Sequence, residues 1–236
     1  MTSHPGDEAI MQANAEKPII LRNSTGEWLR AWVFGLFVFQ AMWTYHDLWR
    51  IGKHYGWPTA HEALALSASY CFAVALLLGP WHRITGLGVQ LLRLRRPLGI
   101  VGAILTTAHM VIVCVILRWP LTTNERITSF VFGLLAVCIM IPLIATSFPW
   151  ALKRFGTLGW RKVQSIAPLL LLLIIVHYLS LGKLPDWIKW FQTFDQPGHS
   201  VAPGGTFLLT IFCMVVFLVR CWAFGMNVFH HSKGQG

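Results

Sequence analysis

The chain has 236 residues and a formal net charge of +10, with 55% hydrophobic and only 12% charged residues. Disordered chains combine low hydrophobicity with high charge, so the composition excludes a disordered chain. Soluble domains carry about 25% charged residues, so the composition also argues against a soluble domain. The positive residues lie in short stretches between apolar segments, which is typical of membrane proteins and argues against a nucleic-acid partner. A lipid bilayer is the predicted environment.

Six apolar segments are each long enough to cross the hydrocarbon core, which takes about 20 residues. They lack the alternation of β-strands and predict an all-α, polytopic six-transmembrane-helix bundle. The segments lie at 29–50, 61–80, 97–118, 127–147, 162–182 and 205–227. The transmembrane domain is therefore predicted over 29–227, between a polar cytoplasmic N-terminal segment at 1–28 and a cytoplasmic tail at 228–236.

The distribution of basic residues predicts the orientation. About two thirds of the 19 Lys and Arg residues fall on the side of the bundle that holds both termini. Because such an excess marks the cytoplasmic side, both termini are expected in the cytoplasm and the first, third and fifth helices run outward. The start of the chain lacks the pattern of a cleavable signal peptide. We expect a multi-pass protein of the inner (plasma) membrane.

Two connections are predicted to lie at the bilayer surface. Residues 83–96 place several leucines among basic residues, as in an interfacial amphipathic stretch. Residues 183–204 combine three prolines with Trp187 and Trp190, which predicts an ordered extramembrane connection with aromatic side chains at the interface.

Two histidines lie deep within predicted spans, where ionisable side chains are costly and mark functional sites. Measured from the cytoplasmic start of each helix, His109 on the third helix lies after a rise of about 18 Å and His177 on the fifth after about 24 Å. Both are therefore expected at nearly the same depth, in the outer half of the bilayer. Two imidazoles from separate helices suit the axial positions of a haem iron. Hydrogen bonding within the bundle and a different metal or substrate site are the alternatives.

Charged residues near these histidines give further expectations. Arg118 lies nine residues beyond His109 at the outer end of its helix, where it would pair with a haem propionate or snorkel to the interface. Arg126 and Lys183 are other outward candidates. The middle of every predicted span lacks acidic residues, so a carboxylate relay is not expected, and no catalytic residue is predicted.

Several motifs resemble those of a known family. They are Leu94-Arg95-Arg96-Pro97-Leu98-Gly99 followed by His109, Gly79-Pro80 with Arg83-Ile84-Thr85-Gly86, Ala145-Thr146-Ser147, Arg154-Phe155-Gly156, Trp160-Arg161, and Val176-His177-Tyr178-Leu179. In this order, over about 79–182, the chain resembles the ferric-reductase-like transmembrane domain family. The most similar branch is the haem-binding membrane subunit of the periplasmic methionine sulfoxide reductase system.

The resemblance implies b-type haem held between histidines of the third and fifth helices, and His109 and His177 match those positions. It implies electron transfer from a quinol or a flavoprotein to a separate partner oxidoreductase or external acceptor. One position departs from the branch, which has a histidine where this chain has Gln164. Glutamine is a poor haem ligand, so one haem is expected rather than two.

Two other functions are consistent with the sequence. A haem-free relative would act as a membrane scaffold or assembly factor, and Gln164 is the residue that raises this alternative. A small-solute transporter is the second, although buried acids and paired half-helices, which transporters use, are not predicted. A Gly-rich nucleotide-binding fingerprint is also not found, so a flavin or nicotinamide module would belong to a separate chain.

Overall fold

The computed structural model describes residues 24–49, 56–86, 88–118, 122–193 and 204–233. The secondary structure in these ranges is helical, which confirms the predicted all-α class. The helices are α1 (Thr25–Trp49), α2 (Trp57–Thr85), α3 (Val89–Leu92), α4 (Arg95–Val111), α5 (Asn124–Ala145), α6 (Pro149–Ser165), α7 (Ala167–Tyr178), α8 (Leu184–Gln192) and α9 (Gly205–Lys233). π-Helical turns at Ile112–Ile116 and Leu179–Lys183 continue α4 and α7.

Five helical segments in the described ranges are long and apolar enough to cross a membrane. They are Trp57–Thr85, Gln90–Ile116, Asn124–Ala145, Pro149–Gln192 and Gly205–Ala223, and they overlap the second to sixth predicted spans. The first predicted span, 29–50, overlaps α1, in which Arg30 and Gln40 lower the hydropathy. The first span, and with it the total of six, stays a prediction, as do the sides on which the termini lie and the domain boundaries at 28 and 228. Residues 1–23 and 234–236 lie outside the described ranges.

The fifth predicted span, 162–182, is divided in the structure. α6 ends at Ser165 and α7 begins at Ala167, with Pro168 in its first turn. A proline is tolerated there because the first turn of a helix does not use its backbone N–H groups. Gln164 therefore belongs to α6, and His177 lies near the end of a separate helix.

Both predicted surface connections contain helices in the residues that the structure describes. α2 ends at Thr85 and is followed by Gly86, whose φ of 69° is left-handed; the short α3 then leads into α4 at Arg95. α8 occupies the first half of the connection that follows the fifth span, with Trp187 buried and Asp186 in its first turn. The remainder, 194–203, lies outside the described ranges.

Close packing of α2 against α4 positions one side of the candidate site. A Cβ added at Gly102 of α4 would lie 3.1 Å from the Ala68 carbonyl oxygen and from Phe72 Cε1, and 3.2 Å from Cys71 Cβ. A side chain at this position would require the two helices to separate slightly, because the Ala68 contact is with backbone rather than with a flexible side-chain end. The fully buried core extends on both sides of this contact and includes Leu66, Cys71, Val101, Leu171, Leu209 and Cys213.

Candidate functional site

A cavity of about 600 Å³ opens between α2, α5, α7, α8 and the end of α4. Its lining includes His109 and His177, the two histidines expected from the sequence to lie at one depth. Arg118 also lines it, as do Arg126 and Lys183. The residues named as candidates from the sequence thus surround one space, although they come from separate segments.

His109 is tied to the first turns of α2. Its Nδ1 lies 2.8 Å from the carbonyl oxygen of His61. A carbonyl only accepts, so the proton must be on Nδ1, which leaves the lone pair on Nε2. The buried His61 ring lies beside that of His109, with centroids 5.4 Å apart and a tilt of 36°.

His177 is tied to α5 in the same way. Its Nδ1 lies 2.8 Å from the carbonyl oxygen of Ser129, which again requires a proton on Nδ1 and a lone pair on Nε2. The Ser129 hydroxyl oxygen lies 3.0 Å from the same Nδ1 and donates to the His177 carbonyl oxygen at 3.3 Å. Each histidine thus finds its carbonyl acceptor 48 residues earlier in the chain.

This arrangement fits axial ligation of a haem iron. Iron-bound histidines typically donate the second ring N–H to a carbonyl or carboxylate, which orients the ring and raises its basicity. Porphyrin supplies four nitrogens, so the protein needs to supply only two donors. The cavity volume lies within the usual range of cofactor sites, about 300–1,000 Å³. Within the described ranges, no three His, Cys, Asp or Glu side chains converge as they would around a bare metal ion.

Arg118 is exposed, lines the cavity and has an uncommon backbone conformation. Its φ is 43°, and it follows the π-helical turn in which the Leu117 N–H bonds to the Ile112 carbonyl. Left-handed geometry at a non-glycine residue costs about 1–2 kcal/mol. Glu125 and Asp186 line the same cavity, so its lining carries charges of both signs.

Gln164 lies elsewhere, beside a second cavity of about 360 Å³. Its Nε2 donates to Thr146 Oγ1 at 2.8 Å and to the Leu143 carbonyl at 3.2 Å, so both amide hydrogens are engaged. The neighbouring Trp160 donates from Nε1 to the Thr146 carbonyl at 2.9 Å. These bonds fasten α6 to the end of α5, which is a structural role. The expectation that Gln164 does not bind iron stays a prediction.

Three residues of the site were not identified from the sequence: His61, Ser129 and Gly133. His61 bonds through its backbone carbonyl, which every residue type carries, so the sequence offers no signal for it. Ser129 bonds through its hydroxyl as well, but a serine within an apolar span does not identify the residue that it contacts. Gly133 lies one helical turn after Ser129, and a Cβ added there would lie 3.1 Å from His177 Nδ1. A glycine within an apolar span indicates close packing but does not identify the neighbour.

Comparisons with known proteins give distant relatives. The chain is 25% identical over 166 residues to the protein-methionine-sulfoxide reductase heme-binding subunit MsrQ of Brucella melitensis biotype 2, covering 67% of this chain and 73% of the relative. MsrQ of Brucella ovis matches over the same length with the same identity.

A shorter match is to the magnetosome protein MamZ of Paramagnetospirillum magneticum, 28% identical over 112 residues and 45% of this chain. This match spans only 17% of MamZ. No protein-family model matches the chain. Over about two thirds of its length, this multi-pass helical membrane protein is therefore similar to MsrQ.

Proposed function

We propose that the protein is a membrane haem-b electron-transfer subunit of the ferric-reductase-like type. The observation that carries the proposal is the pair of imidazoles at one cavity, His109 and His177, each with its Nδ1 proton donated to a backbone carbonyl and Nε2 left with its lone pair. The similarity to MsrQ, a protein named as a haem-binding subunit, supports the same function.

In this proposal His109 and His177 would hold the iron, each through its Nε2. Bound b-type haem supplies a one-electron couple. The chain contributes the two Nε2 donors, and the carbonyls of His61 and Ser129 prevent each ring from rotating. Apolar neighbours such as Leu66 and Leu181 line the same cavity and limit the access of water.

Arg118 is proposed to pair with a haem propionate. Its guanidinium is permanently charged and presents donors that match a carboxylate, and Arg118 is an exposed residue that lines the cavity. Arg126 and Lys183 provide further positive charge in the lining of the cavity.

A single haem is proposed, because the amide of Gln164 is already bonded within the protein. Electrons would come from a quinol or a flavoprotein and pass to a separate oxidoreductase or external acceptor. The protein would lie in the inner (plasma) membrane with six spans and both termini in the cytoplasm.

The visible spectrum of the purified protein tests the proposal. After reduction in detergent we expect a Soret band with sharp low-spin α and β bands. His109→Ala and His177→Ala should each abolish or distort it. Gln164→Ala, which alters a histidine-equivalent position outside the cavity, is the matched control and should leave the bands unchanged. A well-folded but colourless wild-type protein would exclude electron transfer through haem and support a scaffold or assembly factor.

A further inference from the structure

We propose that Ser129 and Gly133 of α5 are positioning residues that set the tautomer and the ring plane of His177. The inference rests on the proposed function, since it concerns one of the two proposed iron ligands. Ser129 and Gly133 are four residues apart and therefore lie on one face of α5, one turn from each other. We call this pair the α5 cradle.

Ser129 forms three polar contacts with His177. The His177 Nδ1–H is shared between the Ser129 carbonyl at 2.8 Å and the Ser129 hydroxyl oxygen at 3.0 Å. The hydroxyl proton is then free to bond to the His177 carbonyl at 3.3 Å. All donors and acceptors are consistent with one arrangement, and that arrangement places the proton on Nδ1. Ser129 is only 2% exposed, so water does not compete for these bonds.

Gly133 provides the space that the ring occupies. A Cβ at this position would lie 3.1 Å from His177 Nδ1 and 3.2 Å from Cε1, which is closer than ordinary van der Waals contact. Alanine at 133 would therefore push the bonded edge of the ring away from α5 by a few tenths of an ångström. Because Nδ1 is the atom displaced, the same change would lengthen the bond to Ser129.

The two proposed ligands are consequently held differently. His109 has one backbone acceptor and lies beside the ring of His61, whereas His177 has two acceptors on a single residue and a glycine against its ring. A stronger hydrogen bond at Nδ1 makes an imidazole a more basic ligand, which favours ferric over ferrous iron. The α5 cradle is therefore expected to lower the reduction potential through His177.

The test compares Gly133→Ala with Gly99→Ala in the full-length haem-loaded protein. Gly99 also lies in a transmembrane helix, but a Cβ added there would find no atom within 4 Å. We expect Gly133→Ala to shift the redox equilibrium about tenfold toward the ferrous form, a rise of about 59 mV for a one-electron couple. The ferric electron paramagnetic resonance g-values, which depend on the imidazole planes, should move as well. Gly99→Ala should change neither.

Ser129→Ala provides a second variant that adds no atoms, so it applies even if Gly133→Ala does not fold. It should shift the potential in the same direction by a smaller amount. If the wild type carries haem and Ser129→Ala matches Gly99→Ala in potential and g-values, the cradle is refuted while the proposed function stands.

A wild type that binds no haem would refute the proposed function instead. The cradle would then be tested by the ¹⁵N chemical shifts of histidine in the haem-free chain. A single Nδ1–H tautomer at His177 is expected, and an Nε2–H tautomer or a mixture of the two would overturn the cradle.

Discussion

Substituting Gly102 by alanine tests whether the contact between α2 and α4 positions His109. The added Cβ would lie 3.1 Å from the Ala68 carbonyl oxygen, which cannot move without the helix, and 3.2 Å from Cys71 Cβ. The Phe72 ring, 3.1 Å away, is the one neighbour that can rotate. α4 would therefore have to move away from α2, and the 2.8 Å bond between His109 and the His61 carbonyl crosses the same pair of helices.

Two opposing contributions determine the size of the effect. Alanine stabilises a helix interior by about 1 kcal/mol relative to glycine. Overpacking of a tight contact costs about 1–3 kcal/mol. Gly102→Ala is therefore expected to lower the free energy of unfolding by about 0–2 kcal/mol. Gly99 lies three residues earlier on the same helix with open space around it, so Gly99→Ala should gain only the stabilisation from the helix propensity of alanine. The difference between the two variants isolates the packing cost, about 1–3 kcal/mol.

The free energy of unfolding of both variants can be measured by adding a denaturing detergent stepwise to the protein in mild-detergent micelles. Haem content per chain, measured in the same preparations, reports whether His109 has moved. Equal stabilities for Gly102→Ala and Gly99→Ala would refute the argument, because they would mean that the close approach of α2 and α4 carries no energetic cost.

Two further substitutions separate structural from cofactor roles. Gln164→Ala removes two hydrogen bonds that fasten α6 to α5, each contributing about 0.5–1.5 kcal/mol, so the free energy of unfolding should fall by about 1–3 kcal/mol while the haem spectrum stays unchanged. Loss of the spectrum would contradict the assignment of His109 and His177 as ligands. Arg118→Gly should be more stable than Arg118→Ala by about 1–2 kcal/mol, because glycine adopts the φ of 43° without strain, while both variants should bind haem more weakly than the wild type. Equal stabilities would show that the conformation of Arg118 costs nothing, and haem binding equal to that of the wild type would remove its proposed contact with a propionate.

The helical class and most of the span positions were predictable because they depend on local properties. Hydropathy over about 20 residues identifies a segment that can cross a bilayer. The predicted depths of His109 and His177 needed only the rise of an α-helix, and both residues line one cavity. Local reasoning was less accurate at 162–182, where Pro168 belongs to the first turn of a new helix rather than to the interior of a long one.

Part of the role of Gln164 could be predicted from the sequence, and part depends on the tertiary structure. Its side chain by itself argued against iron ligation, since an amide is a poor haem ligand. That its amide fastens α6 to the end of α5 depends on where Leu143 and Thr146 lie in space. In the folded protein, the Gln164 side chain forms hydrogen bonds that connect two helices.

What the amino-acid order predicts is a basic, apolar, helical membrane protein with two histidines at similar depth within its spans. Only the folded arrangement shows which atoms hold those imidazoles: carbonyls of His61 and Ser129, each 48 residues distant, and the space beside Gly133. The reason is physical. Hydropathy and helical rise belong to a segment and can be obtained from its residues, whereas a hydrogen bond to a backbone carbonyl or a close approach at a glycine exists only between segments and depends on how the helices pack.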